Sequence, residues 1–114
     1  MPPESHSSPP PCTIDSLGQY VGELVTLRGW VSYLRSSGKV RFIVLRDGTG
    51  LAQGVLVRGR LPDEDFAAFD NLTLESSLTI SGLVKNEPRA PGGFELEVSG
   101  LNPLFPAQDY PSAP

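Results

Sequence analysis

The sequence predicts a mainly β fold, a barrel of five short strands with one helix between the third and the fourth. Three observations predict it. Runs rich in Val, Leu, Ile and Phe alternate with polar residues at the period of a half-buried strand. The 12 glycines and 12 prolines fall between those runs, a texture of turns rather than of long helices. At 114 residues the chain is long enough for one continuous core and too short for two.

Residues 1–12 (MPPESHSSPPPC) hold too few apolar side chains to offset the entropy of ordering them, so they are expected to form a disordered leader before a domain at 13–102. Thr13 or Asp15 could cap a single helical turn over Ser16 to Gly22, ending at Gly18 or Gly22, as a lid on the barrel. From Leu24 to Leu34, Val25, Leu27, Gly29 and Val31 share one face and Thr26, Arg28, Trp30 and Ser32 the other, which makes strand one. Arg35 to Lys39 has turn composition, and Val40 to Leu45 resumes a strand with Ile43 and Leu45 opposite Phe42 and Val44. Asp47-Gly48-Thr49-Gly50 is a tight-turn signal, followed by strand three at Leu51 to Val57.

Pro62 and the carboxylates after it suit the start of a helix, and Leu61, Phe66, Phe69 and Leu72 form the stripe with which it would plug one end of the sheet. Leu78 to Val84 and Phe94 to Leu101 supply strands four and five, joined by the turn-rich residues 85–93. Prolines 103, 106, 111 and 114 discourage a sixth strand, so 103–114 is expected to be a linker or tail. Three strands, a helix and two strands is the order of the five-stranded OB barrel, whose open sheet face commonly binds single-stranded oligonucleotides. Fold alone does not establish function.

Several function classes are disfavoured. No apolar stretch approaches the ~20 residues of a membrane span, and the first 13 residues lack the pattern of a signal peptide, so a soluble, cytoplasmic protein is expected. Cys12 and His6 are the sole residues of their types, too few within one chain for a disulfide or a Cys/His zinc site. A net charge of −4 argues at first against nucleic acid, yet the charge is segregated. Arg28, Arg35, Lys39, Arg41 and Arg46 lie in a stretch without acids, whereas 61–75 holds five acids and no base.

A reader of single-stranded RNA needs an exposed aromatic ring for stacking beside a side chain that can bond a base edge. Phe42 fits if Ile43 and Leu45 fill the core; the opposite assignment, with Phe42 inside, is open on periodicity alone. Gln53, flanked by Ala52 and Gly54, offers a donor and an acceptor with room for close approach, or is simply a solvent-facing strand residue. Arg35 could bring a forked cation to a base or phosphate, or be a solvated turn residue, and Arg28 and Lys39 extend the same cationic stretch.

Leu27-Arg28-Gly29-Trp30-Val31, Arg35 to Lys39, Phe42 to Gly50 and Gln53 resemble the anticodon-binding domain shared by aspartyl-, asparaginyl- and lysyl-tRNA synthetases, over about Ile14 to Tyr110. The resemblance implies that Phe42 stacks on the central uridine of a tRNA anticodon, that Gln53 bonds its edge and that Arg35 assists. It gives Glu97 a part in reading the first anticodon base, against the alternative of a cross-strand surface charge. Arg89 to Val98 looks most like the asparaginyl branch, although some aspartyl enzymes carry a similar Ala-Pro-Gly-Gly loop.

The family places a class II catalytic domain, with its ATP and Mg, after this module. Nothing of it follows Pro114, so no cofactor is expected here and the chain alone is not expected to aminoacylate. Ala107 to Pro111 resembles the start of the linker to that domain, which suggests a truncated or split product whose catalytic domain could be a separate chain; dimerisation is left open. The rivals are a freestanding OB protein indifferent to anticodons and a protein-interaction barrel. The acidic total favours the latter, the acid-free hairpin opposes it.

Overall fold

A computed structural model describes residues 9–104, and the expectations for residues 1–8, His6 among them, and for 105–114 lie outside it. Strands β1 (Leu24–Ser37), β2 (Val40–Arg46) and β3 (Leu51–Val57) precede helix α1 (Asp63–Ala68), and β4 (Ser77–Asn86) and β5 (Phe94–Pro103) follow it. They close into a barrel in the order β1-β2-β3-β5-β4, in which β3 and β5 run parallel and every other pair is antiparallel. This is the five-stranded OB architecture that the element order predicted.

The inward residues of the alternating strands fill the barrel: Val25, Leu27, Ile43, Leu45, Leu56 and Leu96 are fully enclosed. Gly29 permits a close crossing, since a Cβ there would lie 2.2 Å from the carbonyl oxygen of Arg46. At the end where β2 begins, Leu61, Phe66, Phe69 and Leu72 are buried as the apolar stripe predicted. Asp65 ties this plug to the barrel by accepting a 3.0 Å hydrogen bond from the Leu101 amide.

Where β2 ends, the lid is a 3-10 helix, Ile14–Gln19, that buries Ile14 and Leu17. It starts earlier than expected, and Thr13 at its N-cap makes no side-chain capping bond. The cap comes from across the fold: Asp47 Oδ2 accepts from the Ile14 amide at 2.8 Å, and Thr49 Oγ1 accepts from the Asp15 amide at 3.1 Å. Asp47 also receives the amide and hydroxyl of Thr49 at 2.8 and 2.6 Å. Burial pushes its carboxyl up, but these bonds outweigh that and hold it below its ordinary value.

The structure departs from the expected elements at several further points. Residues 9–12 are not the end of a free leader: the Cys12 amide donates to the Thr26 carbonyl and the Thr26 amide to the Pro10 carbonyl, so the segment runs along β1. Arg35 does not begin the hairpin turn, because β1 continues to Ser37 and the turn is Gly38-Lys39 alone, with Gly38 at φ 59°. A bulge at Ser32 interrupts the β1–β2 register between Val31 and Tyr33. Pro103, expected in the tail, closes β5 opposite Leu78, the strand-end position that proline tolerates.

Candidate nucleic-acid interface

With Ile43 and Leu45 enclosed, alternation turns Phe42 and Val44 to the outside of β2. On β1 the outward residues are Arg28 and Trp30 before the bulge, and Tyr33 and Arg35 after it. The extra residue therefore brings Arg35 opposite Phe42 on the solvent face. Two rows of outward side chains then cross the sheet from β1 through β2 and β3 to β5. One is Arg35, Phe42, Val55 and Glu97; the other is Tyr33, Val44, Gln53 and Glu95.

Phe42 is half-buried and the Arg35 guanidinium lies 4.3 Å from its ring centre. Diagonally across, in the second row, the Gln53 Nε2 donates to Glu95 Oε1 at 3.2 Å. Glu97 is bridged at 2.9 Å by Arg60, which follows β3. Tyr33 is 50% exposed beside this pair of rows and adds a second ring to the surface. Exposed Lys39 stands in the β1–β2 turn at one edge of the face. At the other edge, the loop between β4 and β5 brings Gly92 against the Leu51 carbonyl. An OB face between these two loops is where the fold commonly takes an oligonucleotide.

The structure thus brings together Arg35, Phe42, Gln53 and Glu97, with Lys39 at the margin. Arg28 stands apart, paired with Thr79 of β4 and lining a separate hollow of about 530 Å³ with Trp30, Asp47 and Pro11. The cationic stretch from Arg28 to Arg46 is no single patch. Arg41 points to the plugged end, 4.8 Å from the Phe66 ring centre, and donates from Nη1 to the Gly38 carbonyl at 2.7 Å. Arg46 pairs with Glu75 and stacks over Trp30. Tyr33 and Glu95 were not singled out from sequence. The bulge hides the first behind an apparent change of face, and the second meets Gln53 through a parallel pairing 42 residues apart.

No helix among the described residues is long and apolar enough to cross a membrane, and no group of three His, Cys, Asp or Glu residues there is placed to hold a metal. A closed OB barrel presenting an aromatic ring, an amide and an arginine on the face between its two loops is built like the OB modules that commonly take single-stranded nucleic acid. Residues 25–104 match the tRNA anti-codon family, an OB-fold nucleic acid binding domain. The chain belongs to that family.

Among curated relatives, the asparagine–tRNA ligase of Pelotomaculum thermopropionicum is 48% identical over 98 residues, 86% of this chain and 23% of that protein. That of Symbiobacterium thermophilum is 50% identical over 99 residues, 87% of this chain and 23% of its own length. The crystal structure of asparaginyl-tRNA synthetase from Pyrococcus horikoshii complexed with asparaginyl-adenylate matches with a TM-score of 0.74 at 32% identity, covering 88% of this chain and 26% of that one. The chain therefore spans under a quarter of the length of these two ligases.

Proposed function

We propose that this domain binds the anticodon loop of a tRNA and reads its central uridine as the anticodon module of an asparagine–tRNA ligase. The observation that carries this reading is the placing of Phe42 and Gln53 as outward, diagonal neighbours on β2 and β3. Such neighbours lie ~7–8 Å apart between backbones, within reach of one base stacked on the ring. Arg35 covers that ring, so an incoming base takes the place of the guanidinium or stacks upon it, and the freed cation meets base or phosphate. Glu97 would accept from the first anticodon base once it exchanges Arg60 for the guanine edge.

The names of the relatives support the asparaginyl branch over the aspartyl one. ATP, Mg and aminoacyl transfer would then belong to a class II catalytic part outside this chain, in the cytoplasm where tRNA is charged. The test is the affinity for two stem-loops that differ in the central anticodon base, uridine or cytidine, at one fixed salt concentration. Tighter binding of the uridine loop is expected; equal affinities would favour an OB protein indifferent to anticodons.

A further inference from the structure

The Gln53 amide is held in one orientation by a single side-chain partner among the described residues. Its amide group faces Glu95, with Nε2 donating to Oε1 at 3.2 Å in a part-buried setting on the parallel β3–β5 pair. An ionised carboxylate accepts and does not donate, so only the NH2 side of the amide can face it. The reversed rotamer would set the amide oxygen against the carboxylate oxygen and forfeit the bond. No other side-chain hydrogen bond is made by Gln53 among the described residues.

From this we infer that Glu95 is a specificity-determining positioning residue, which fixes the Gln53 amide so that it accepts from a base N–H and rejects the reversed pattern of cytosine. The inference deepens the anticodon reading above and rests on it.

The chemistry follows from the two edges. Uracil presents a donor at N3 beside an acceptor at O4, which an amide meets with its oxygen on N3–H and its second N–H on O4. Cytosine presents an acceptor at N3 beside a donor at N4, which demands the same amide turned by half a rotation. An unrestrained glutamine can serve either base. One held by Glu95 keeps its oxygen for N3–H, and meets cytosine N3 with a lone pair. Guanine, with N1–H beside O6, carries the same order as uracil; the difference in ring size is for the stacking platform to judge.

The experiment measures the dissociation constants of the wild-type domain, Glu95→Gln and Glu95→Ala for the uridine and cytidine stem-loops at one salt concentration. A bidentate base contact is worth ~1–3 kcal/mol of discrimination, so about five- to 150-fold between the loops is expected for the wild type. In Glu95→Gln, whose own amide can present oxygen or nitrogen to Gln53, the ratio should fall toward unity, chiefly through tighter binding of the cytidine loop. Glu95→Ala should relax the ratio in the same direction. Thermal melts accompany both variants, and the Gln53 Nε2 proton that faces the carboxylate, shifted downfield in the wild type, should return toward the value of a solvated amide once the carboxylate is gone. A wild type that discriminates while both folded variants keep its ratio overturns the role of Glu95 and leaves the anticodon reading standing. Parallel loss of affinity for both loops at a constant ratio overturns it too, as a merely structural contribution. A wild type that binds the two loops equally overturns both.

Discussion

The same pairing of arginine with phenylalanine occurs at two places on this barrel and does two different things. On the sheet face, the Arg35 guanidinium lies 4.3 Å from the ring centre of Phe42, a half-buried residue. At the plugged end, Arg41 and Arg58 lie 4.8 and 5.3 Å from the ring centre of Phe66, which is 7% exposed and packed in the core. Two cations close over Phe66 and the chain leaves no room for a base. One covers Phe42, and it stands exposed on the outer face. On the proposed reading, a cation over an aromatic ring marks a site only where the ring lies on the outer face of the sheet rather than in the core.

Truncating the two rings should break the comparison most sharply. Phe66→Ala is expected to cost about 3–5 kcal/mol of folding stability, read by denaturant unfolding, because it empties a buried space. Phe42→Ala should shift the unfolding midpoint far less, yet weaken RNA binding by about five- to 150-fold, since stacking on a base is worth ~1–3 kcal/mol. A Phe42 variant that unfolds as readily as the Phe66 variant would show the two rings to be equivalent parts of the core.

The clasp at the other end of the barrel gives a smaller effect with a defined sign. The folded-state carboxyl of Asp47 is held below its ordinary value, so its contribution is fully present above the unfolded-state value and is lost as pH falls through the folded one. Asp47→Ala should cost about 1 kcal/mol near neutral pH, at the low end for bonds to a charged group because the site is largely open to water. The gap between variant and wild type should narrow from about pH 5 downward. A gap that stays constant with pH in chemical denaturation would show the clasp to act by packing alone.

Salt dependence sharpens the comparison at the smallest scale. If Lys39 meets a phosphate, Lys39→Ala should reduce the log–log salt slope of binding by about 0.7. Arg41→Ala should leave that slope unchanged while lowering stability, since its guanidinium sits on Phe66. Equal slope changes for the two would place Arg41 on the RNA after all.

Much of this was legible in the sequence. Ile43 and Leu45 set the inward face of β2, and with it the outward face of Phe42, because period-two alternation needs only local information. The helix stripe of Leu61, Phe66, Phe69 and Leu72 was equally plain. What alternation could not supply was any contact made by closure of the barrel. Arg41 reads as one more basic residue of a hairpin until the plugged end is seen to fold up against it. Asp47 reads as a turn residue until the lid's Ile14 amide arrives from 33 positions away. The segment at 9–12 looks unstructured by composition, yet its backbone bonds to Thr26, an interaction that depends on a partner rather than on its own side chains.

The bulge at Ser32 acts on β1 as a change of phase. Upstream of it the even-numbered residues look outward, and downstream the odd-numbered ones do. The strand thus serves two masters with one chain: its first half is keyed to β4 and to the hollow at Arg28, its second to β2 and the face at Arg35. Were Ser32 to take a regular place in the ladder, strict alternation would turn Leu34 to solvent in place of Arg35, whereas deleting Ser32 would remove the bulge and leave Tyr33 and Arg35 outward. The register of β1 beyond Ser32 therefore shapes this face as much as the identity of any residue on it. A substitution along β1 changes one side chain, but a slip that absorbed Ser32 into the regular ladder would turn over the whole second half of the strand.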